Sequence, residues 1–223
     1  MWYVLQTDGI FQNQADVLAH TNADGEVIQP TALPGDIRYK DNNGDGQITD
    51  ADKVIAGSPW PKFEMGFNGG FEYKGLDFSM NWILSHGATV YNGARSILDV
   101  VDGQHNYLAG TRPWTPENPN TDTPRANTGT TLSSRGDTDR FLEDGSFARL
   151  KYVGIGYNLP KDIVSKIGFD RARFSVSAQN VITITKYKGL DPEFTNGNIF
   201  QRGVDWGSFP NVRTYSIGVE FGF

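Results

Sequence analysis

Residues 63–86 read FEMGFNGGFEYKGLDFSMNWILSH, and this stretch decides the fold. Large apolar side chains occupy almost every second position, with acidic, amide or small residues between them. Successive side chains of a β-strand point to opposite faces, so the alternation predicts strands over 63–73 and 76–86, each with one apolar and one polar face. Ile83 breaks the alternation in the second strand. Lys74-Gly75 predicts the tight turn that joins the strands into an antiparallel hairpin.

The same alternation continues towards the end of the sequence. Three further segments show it and predict three more strands, namely 148–159, 172–185 and 212–223. Residues 1–7 resemble the end of another strand, and we expect its partner to lie upstream of this chain. The sequence therefore predicts an all-β fold built from antiparallel strands.

The connections between these segments differ strongly in length. The connection 160–171 is short, with one helical turn expected at Asp162–Ile167. The connections 8–61, 87–146 and 186–211 are long, polar and rich in Gly, Asn, Asp and Pro. Short turns at one end and long loops at the other are typical of a transmembrane β-barrel of the outer membrane. A soluble, calcium-stabilised β-sandwich that binds glycan at the cell surface is the alternative, although sandwich loops are usually more even in length.

Composition excludes several classes of protein. The formal net charge is −6 and no basic stripe is visible, so we expect no nucleic-acid partner. The absence of cysteine excludes disulfides, thiolate metal sites and cysteine nucleophiles. No recognisable acid–base pair, phosphate loop or nucleophile motif is present, so we expect that the chain is not an enzyme.

Short motifs are spread along the whole chain in a fixed order. They are TDGIFQ (7–12), PGDIRY (34–39), DNNGDGQI (41–48), PKF (61–63), YKGLD (73–77), FLEDGS (141–146), RLK (149–151), GYNLP (156–160), SAQN (177–180), TKY (185–187) and DPE (191–193). Each alone is weakly specific. Together they resemble the C-terminal region of the SusC/RagA family of TonB-linked (TonB-dependent) outer-membrane proteins of Bacteroidota.

The resemblance implies a specific architecture and activity. Residues 1–223 would be the C-terminal part of a plugged TonB-dependent transporter barrel of about 22 strands, with the plug domain and the earlier strands absent. The whole protein would import glycans or peptides across the Gram-negative outer membrane. Its partners would be a SusD-like lipoprotein on the extracellular face, and the TonB complex through the missing N-terminal part.

Residues 41–52 match the pattern of an EF-hand calcium loop. Oxygen ligands are expected at loop positions 1, 3, 5, 7 and 12, which are Asp41, Asn43, Asp45, Gln47 (through its backbone carbonyl) and Asp52. Position 12 is Asp rather than the usual bidentate Glu. We expect a structural calcium ion that pins the extracellular loop 8–61. The alternative is an Asp/Asn-rich loop held by its own hydrogen bonds without metal.

The predicted topology also assigns surfaces. Aromatic residues of the long loops should contact the lipoprotein or the substrate, an oligosaccharide or a peptide. The alternative is that these residues pack the loops against one another. The candidates are Tyr107, Trp114, Phe194, Phe200, Trp206 and Phe209. A polar face should point into the barrel lumen; its predicted members are Glu64, Asn68, Glu72, Asp77, Asn81, Arg173, Gln179 and Glu220. Counting back from the ends of the strands places Arg149, Lys151, Lys186 and Arg213 outward, as a basic belt for lipopolysaccharide phosphates. The alternative for that belt is snorkelling towards generic headgroups.

Overall fold

A computed structural model describes residues 1–99, 106–127, 132–194 and 198–223. The strands are β1 (Tyr3–Val4), β2 (Thr7–Ile10), β3 (Ile37–Tyr39), β4 (Val54–Ile55), β5 (Phe63–Tyr73), β6 (Leu76–His86), β7 (Thr89–Asn92), β8 (Leu142–Asp144), β9 (Phe147–Asn158), β10 (Arg171–Thr185), β11 (Val204–Asp205) and β12 (Thr214–Gly222). The helices are α1 (Gln14–Ala19), α2 (Gly93–Leu98) and α3 (Lys161–Val164), with 3₁₀ turns at Asp50–Asp52, Leu132–Ser134, Asp139–Phe141, Ser165–Ile167 and Ile199–Gln201. Over the described ranges, no helix is long and apolar enough to cross a membrane.

The chain divides into two compact units. The loop unit contains residues 1–59, 89–143 and 196–207, and the sheet unit contains residues 60–88, 144–195 and 208–223. The long strands lie in the sheet unit. The loop unit is formed from the connections that separate them in sequence.

The sheet unit is one antiparallel sheet in the order β12-β10-β9-β6-β5. Both strands of the first predicted hairpin have the predicted bounds, and the other three long strands lie within two residues of theirs. Lys74 and Gly75 have φ values of 48° and 85°, as the predicted two-residue turn requires. The predicted helical turn after Pro160 is also present, as α3 and the 3₁₀ turn that follows it. The predicted all-β antiparallel fold is confirmed.

The register between neighbouring strands aligns their apolar side chains on one face of the sheet and their polar side chains on the other. One apolar row consists of Phe71, Phe78, Ile155, Val176 and Ile217. A polar row consists of Asn68, Asn81, Tyr152, Gln179 and Thr214. Because side chains alternate strictly along each strand, the paired rows place the predicted polar residues together on one face of the sheet.

A β-bulge in β9 changes this alternation near the long-loop end. Asn81 pairs with Tyr152 but Trp82 pairs with Leu150, so Lys151 is an extra residue in β9. Arg149 therefore lies opposite Ile83 on the polar face, where simple counting had predicted an outward position. The predicted position of Arg149 in the basic belt is wrong for this reason.

The loop unit has its own hydrophobic cores. One core contains Leu5, Ile37 and Tyr39, and the other contains Phe11, Val17 and Ala32. β2 pairs antiparallel with β3, and β7 lies between β11 and β8, with a parallel β7–β11 pairing.

The first strand has its partner inside this chain. β1 pairs antiparallel with β4, through Tyr3 opposite Ile55 and Val4 opposite Val54. This pairing uses one edge of β1, and the sequence did not predict it; an upstream partner for the other edge stays a prediction. Alternation alone could not locate this partner, because β1 and β4 contain only two residues each.

Candidate metal centre and charged networks

The predicted calcium loop brings three carboxylates together. Oxygen atoms of Asp41, Asp45 and Asp52 all lie within 4.8 Å of one another, and this is the only such group of three potential ligand residues in the described parts of the chain. Three negative charges at this separation repel each other, and a hard cation would remove that repulsion. The donor set therefore fits a calcium ion.

Backbone amides hold the first carboxylate in place. Asp41 Oδ1 accepts from the backbone N of Gly44, and Oδ2 accepts from the backbone N of Gly46, both at 2.7 Å. Gly46 has a φ of +81°, and a Cβ there would lie 2.6 Å from Asn22 Nδ2. A side chain at position 46 is thus disfavoured both by backbone conformation and by space.

Asn43 and Gln47 contact the same carboxylate. Asn43 Nδ2 donates to Asp45 Oδ2, and the Gln47 backbone N donates to Asp45 Oδ1, both at 2.9 Å. These bonds belong to the hydrogen-bonded loop that was the alternative to a metal site. They hold Asp45 in its position beside Asp41.

Asp52 is fully buried and closes the loop. Its Oδ1 accepts from the backbone N of Asn42, and its Oδ2 accepts from the backbone N of Thr49. Thr49 and Asp52 form a capping box on the 3₁₀ turn Asp50–Asp52, in place of an EF-hand helix. The carboxylate of Asp52, at loop position 12, is therefore held by hydrogen bonds from nearby backbone amides.

A charged network connects the end of this loop to a distant segment. Asp137 lies 2.8 Å from Lys53 Nζ and also contacts Arg135, which in turn bonds Asp50 at 2.9 Å. Hydrogen bonds from Arg135, and then from Lys53, outweigh burial and lower the pKa of the Asp137 carboxyl. The sequence offered no signal for this network, because Asp50 and Arg135 are 85 positions apart.

A second network lies in the sheet unit. Arg149 and Asp191 side chains are 3% and 4% exposed and form an ion pair, and Arg149 also contacts Glu193. Lys151, at the bulge, lies 2.6 Å from Glu193. Asn211, which precedes β12, donates to Asp191 through both its backbone and its side chain. Arg149 and Lys151 are thus engaged within the protein, which removes both from the predicted lipopolysaccharide belt; Lys186 and Arg213 are exposed.

The predicted aromatic contact residues fall into two groups. Trp114 is buried and donates from Nε1 to Gln12 Oε1, and Phe194 packs on Tyr187. The larger group is exposed and consists of Tyr107, Phe200, Trp206 and Phe209. Trp114 therefore packs between loops, which was the alternative to a contact with the lipoprotein or substrate. Residues 100–105, 128–131 and 195–197 of the long connections lie outside the described residues.

Known proteins share both sequence and fold with this chain. No protein-family model matches it. TonB-dependent receptor P3 of Formosa agariphila is 38% identical over 200 residues, which are 85% of this chain and 19% of the relative. TonB-dependent receptor P26 of the same organism is 34% identical over 96% of this chain and 22% of its own length. TonB-dependent receptor SusC of Bacteroides thetaiotaomicron is 29% identical over 89% of this chain and 19% of its own length.

A solved structure of the RagAB peptide transporter superposes on 99% of this chain with a TM-score of 0.72 and 25% identity, and the match covers 22% of that structure's chain. The chain thus spans about a fifth of the length of the proteins that it matches. These relatives are receptors and transporters rather than enzymes, which confirms the prediction of a non-catalytic protein.

Proposed function

We propose that this chain belongs to the SusC/RagA family of TonB-dependent receptors, which it resembles over most of its length, and that it forms part of the wall and outer rim of an outer-membrane importer of glycans or peptides. The sheet unit would supply five strands of the barrel, and the loop unit would lie on the extracellular side. A SusD-like lipoprotein would cover that side, and TonB would act through other parts of the receptor.

The observation that carries this proposal is the exposed apolar face of the sheet unit. Phe67 and Ile217, on strands at opposite ends of the sheet, are 52% and 83% exposed. A soluble sandwich would bury such a face against a second sheet, whereas lipid would cover it in a barrel. β5 and β6 contain 11 residues each, and a tilted strand of about 9–11 residues crosses a membrane.

The assignment of the two faces can be tested with single cysteines, because the chain contains none. Ile217 and Ser216 are neighbours on β12 and belong to the apolar and polar faces. In the intact receptor in membranes, Ile217→Cys should react with a lipid-soluble maleimide and resist a charged one. Ser216→Cys should show the opposite preference. Equal reactivity of the two sites with both reagents would contradict the membrane assignment.

Import itself is tested by growth. A strain that lacks the receptor gene should fail to grow on one class of nutrient, glycan or peptide, supplied as the sole source. Reintroducing the gene should restore growth. Unchanged growth of the deletion strain on every glycan and peptide supplied would contradict the import proposal.

We further propose that Asp41, Asp45 and Asp52 hold a structural calcium ion, with Asn43 and the Gln47 carbonyl completing the ligands. When bound, the ion would neutralise the carboxylates and pin the segment 8–61. Asp41→Asn removes one charge and keeps one acceptor oxygen, so only one of the Gly44 and Gly46 amides retains its bond. Asp24→Asn, at an exposed position of the same segment, is the matched control.

Calcium should protect segment 8–61 from protease in the wild type and in Asp24→Asn, and a chelator should remove that protection. Asp41→Asn should need a higher calcium concentration for the same protection, because one charged ligand is lost. Identical cleavage of the wild type with calcium and with chelator would count against the metal.

A further inference from the structure

The connection between β9 and β10, residues 160–170, folds back onto the apolar face of the sheet unit. Ala172 and Val176 are separated by an even number of positions on β10, so their side chains point to the same face. Val176 is 57% exposed on that face, whereas Ala172 is 1% exposed. α3 lies against β10 and contributes the buried Val164. The connection therefore covers this end of the apolar face instead of extending away from the sheet.

Aromatic rings hold the connection on this face. Phe169 follows the 3₁₀ turn Ser165–Ile167 and stacks on Phe221 of β12, with ring centroids 4.8 Å apart and an interplanar angle of 29°. Its centroid is also 5.0 Å from that of Phe223, and Phe221 meets Phe174 edge-to-face at 6.5 Å. Stacked and edge-to-face pairs are the favoured geometries of aromatic rings. The aromatic cluster thus joins the connection to both β10 and β12.

The polar face at this end of the sheet carries an ion pair instead. Arg171 and Glu220 lie 2.7 Å apart, and they alternate along their strands with residues of the apolar face, so they point to the other side. Asp170, which ends the connection, donates from its backbone N to the carbonyl of Gly222 at 2.9 Å. The connection is thus attached to β12 by its backbone as well as by its rings, and it lies on the apolar side.

The connection also presents apolar surface of its own. Ile163 on α3 is 51% exposed, and Phe223, in contact with Phe169, is 92% exposed. The charged residues of the connection cancel one another; they are Lys161, Asp162, Lys166 and Asp170. Burial of apolar surface, rather than attraction between charges, would therefore drive any binding to this surface.

A phospholipid bilayer fits this surface better than a protein partner. The aromatic cluster continues along β10 and β12 into exposed apolar side chains, which include Val176, Ile217 and Val219. In the proposed barrel this face lies against lipid. The short connections of such a barrel lie at its periplasmic end, where aromatic side chains sit at the level of the headgroups. A protein bound over the connection would have to displace lipid from the adjoining strands.

We propose that the connection 160–170 is a membrane anchor, which inserts Ile163 and Phe223 among the phospholipids of the periplasmic leaflet, at the boundary between headgroups and acyl chains. Phe169 holds the anchor against β12. The inference rests on the proposed function, because it takes the apolar face of the sheet unit to be lipid-facing.

The test uses the intact receptor, otherwise free of cysteine, in nanodiscs of zwitterionic dioleoylphosphatidylcholine, where both bilayer surfaces are accessible. Ile163→Cys carries an NBD fluorophore, which is quenched either by iodide in the water or by a lipid with a doxyl group near the top of its acyl chain. The doxyl lipid should quench this label several-fold more strongly than iodide does. Asp24→Cys, at an exposed position of the loop unit, should show the reverse order. Phe169→Ala should move the Ile163→Cys label towards water, because the connection loses its stacking on Phe221.

Stronger quenching by iodide than by the doxyl lipid, or protection from both quenchers, would overturn the proposal, because the connection would then meet water or another protein chain. Doxyl quenching that Phe169→Ala leaves unchanged would overturn the role of the aromatic stack. Ile217→Cys, on the apolar face of β12, separates this inference from the proposed function. A label there that meets lipid while the Ile163→Cys label meets water would contradict the anchor alone. Iodide quenching of both labels would contradict the lipid-facing assignment as well.

Discussion

Arg173 and Asp77 form a bidentate ion pair although a whole strand separates them. Arg173 lies on β10 and Asp77 on β6, and the guanidinium reaches its partner across Gly156 of β9, with Nη2 to Oδ2 at 2.9 Å. A Cβ on Gly156 would lie 2.1 Å from Arg173 Nη2 and 2.7 Å from Asp77 Oδ1. The ion pair thus ties three strands together on the polar face, and glycine at 156 makes room for it.

Gly156→Ala should displace Arg173 and separate the ion pair. We expect the unfolding temperature of the receptor in detergent to fall by a few degrees, because a close-packed contact must shift. Gly66→Ala is the matched control, since it lies on the same face of the same sheet and its Cβ would have no neighbour closer than 4.0 Å. The unfolding temperature can be measured by heat-dependent mobility on gels. Equal effects of the two substitutions would show that the close contact between Gly156 and the ion pair does not contribute to stability.

Asp191→Asn should loosen the segment between β10 and β12. The substitution leaves the buried Arg149 without the full charge of its partner, and disrupting a buried pair typically costs about 3–5 kcal/mol. Glu193→Gln should have a smaller effect, because Glu193 is 28% exposed. The measurement is the rate of protease cleavage within residues 186–194. Cleavage that is no faster in Asp191→Asn than in Glu193→Gln would contradict the central role of Asp191.

The same network should depend on pH only in acid. Burial alone would raise the pKa of Asp191, but hydrogen bonds from Arg149 and the backbone amides of Glu193 and Asn211 outweigh it and hold the pKa below the usual 3.8. A lowered pKa in the folded state means that the stabilisation is complete above the unfolded-state value and is lost as the pH falls through the folded value. Protease protection of 186–194 should therefore be constant at neutral pH and decline only below about pH 4. A decline in protease protection between pH 7 and pH 5 would show that a group other than Asp191 controls it.

Sequence patterns predicted the features that depend on residues close together in the chain and missed those that depend on distant residues. Alternation fixed the long strands, because one face of each is apolar along its whole length. It missed the bulge at Lys151, since the residues around it, Arg149 and Leu150, have their places set by pairing with Ile83 and Trp82 on β6. The local motif identified the calcium-type loop, whose carboxylates are close in sequence. The Asp137 and Asp191 networks escaped notice, because their partners come together only when distant segments fold against each other.

The assembly of the loop unit around Gly35 gives the last prediction. Gly35 has a φ of +91°, and a Cβ there would lie 2.5 Å from Trp114 Cε3 and 2.6 Å from Arg125 Cβ. Gly35→Ala should therefore push away the segment 112–125. Gly25→Ala separates this clash from backbone strain, because Gly25 has a similar φ of +84° but a Cβ there would meet no atom within 4 Å. Both variants should bear the strain of a left-handed alanine, about 1 kcal/mol. Only Gly35→Ala should also expose Trp114, with a red-shifted tryptophan emission and faster cleavage within 106–127. If Gly25→Ala produced the same two changes, the position of segment 112–125 would depend on general loop stability rather than on the contact between Gly35 and Trp114.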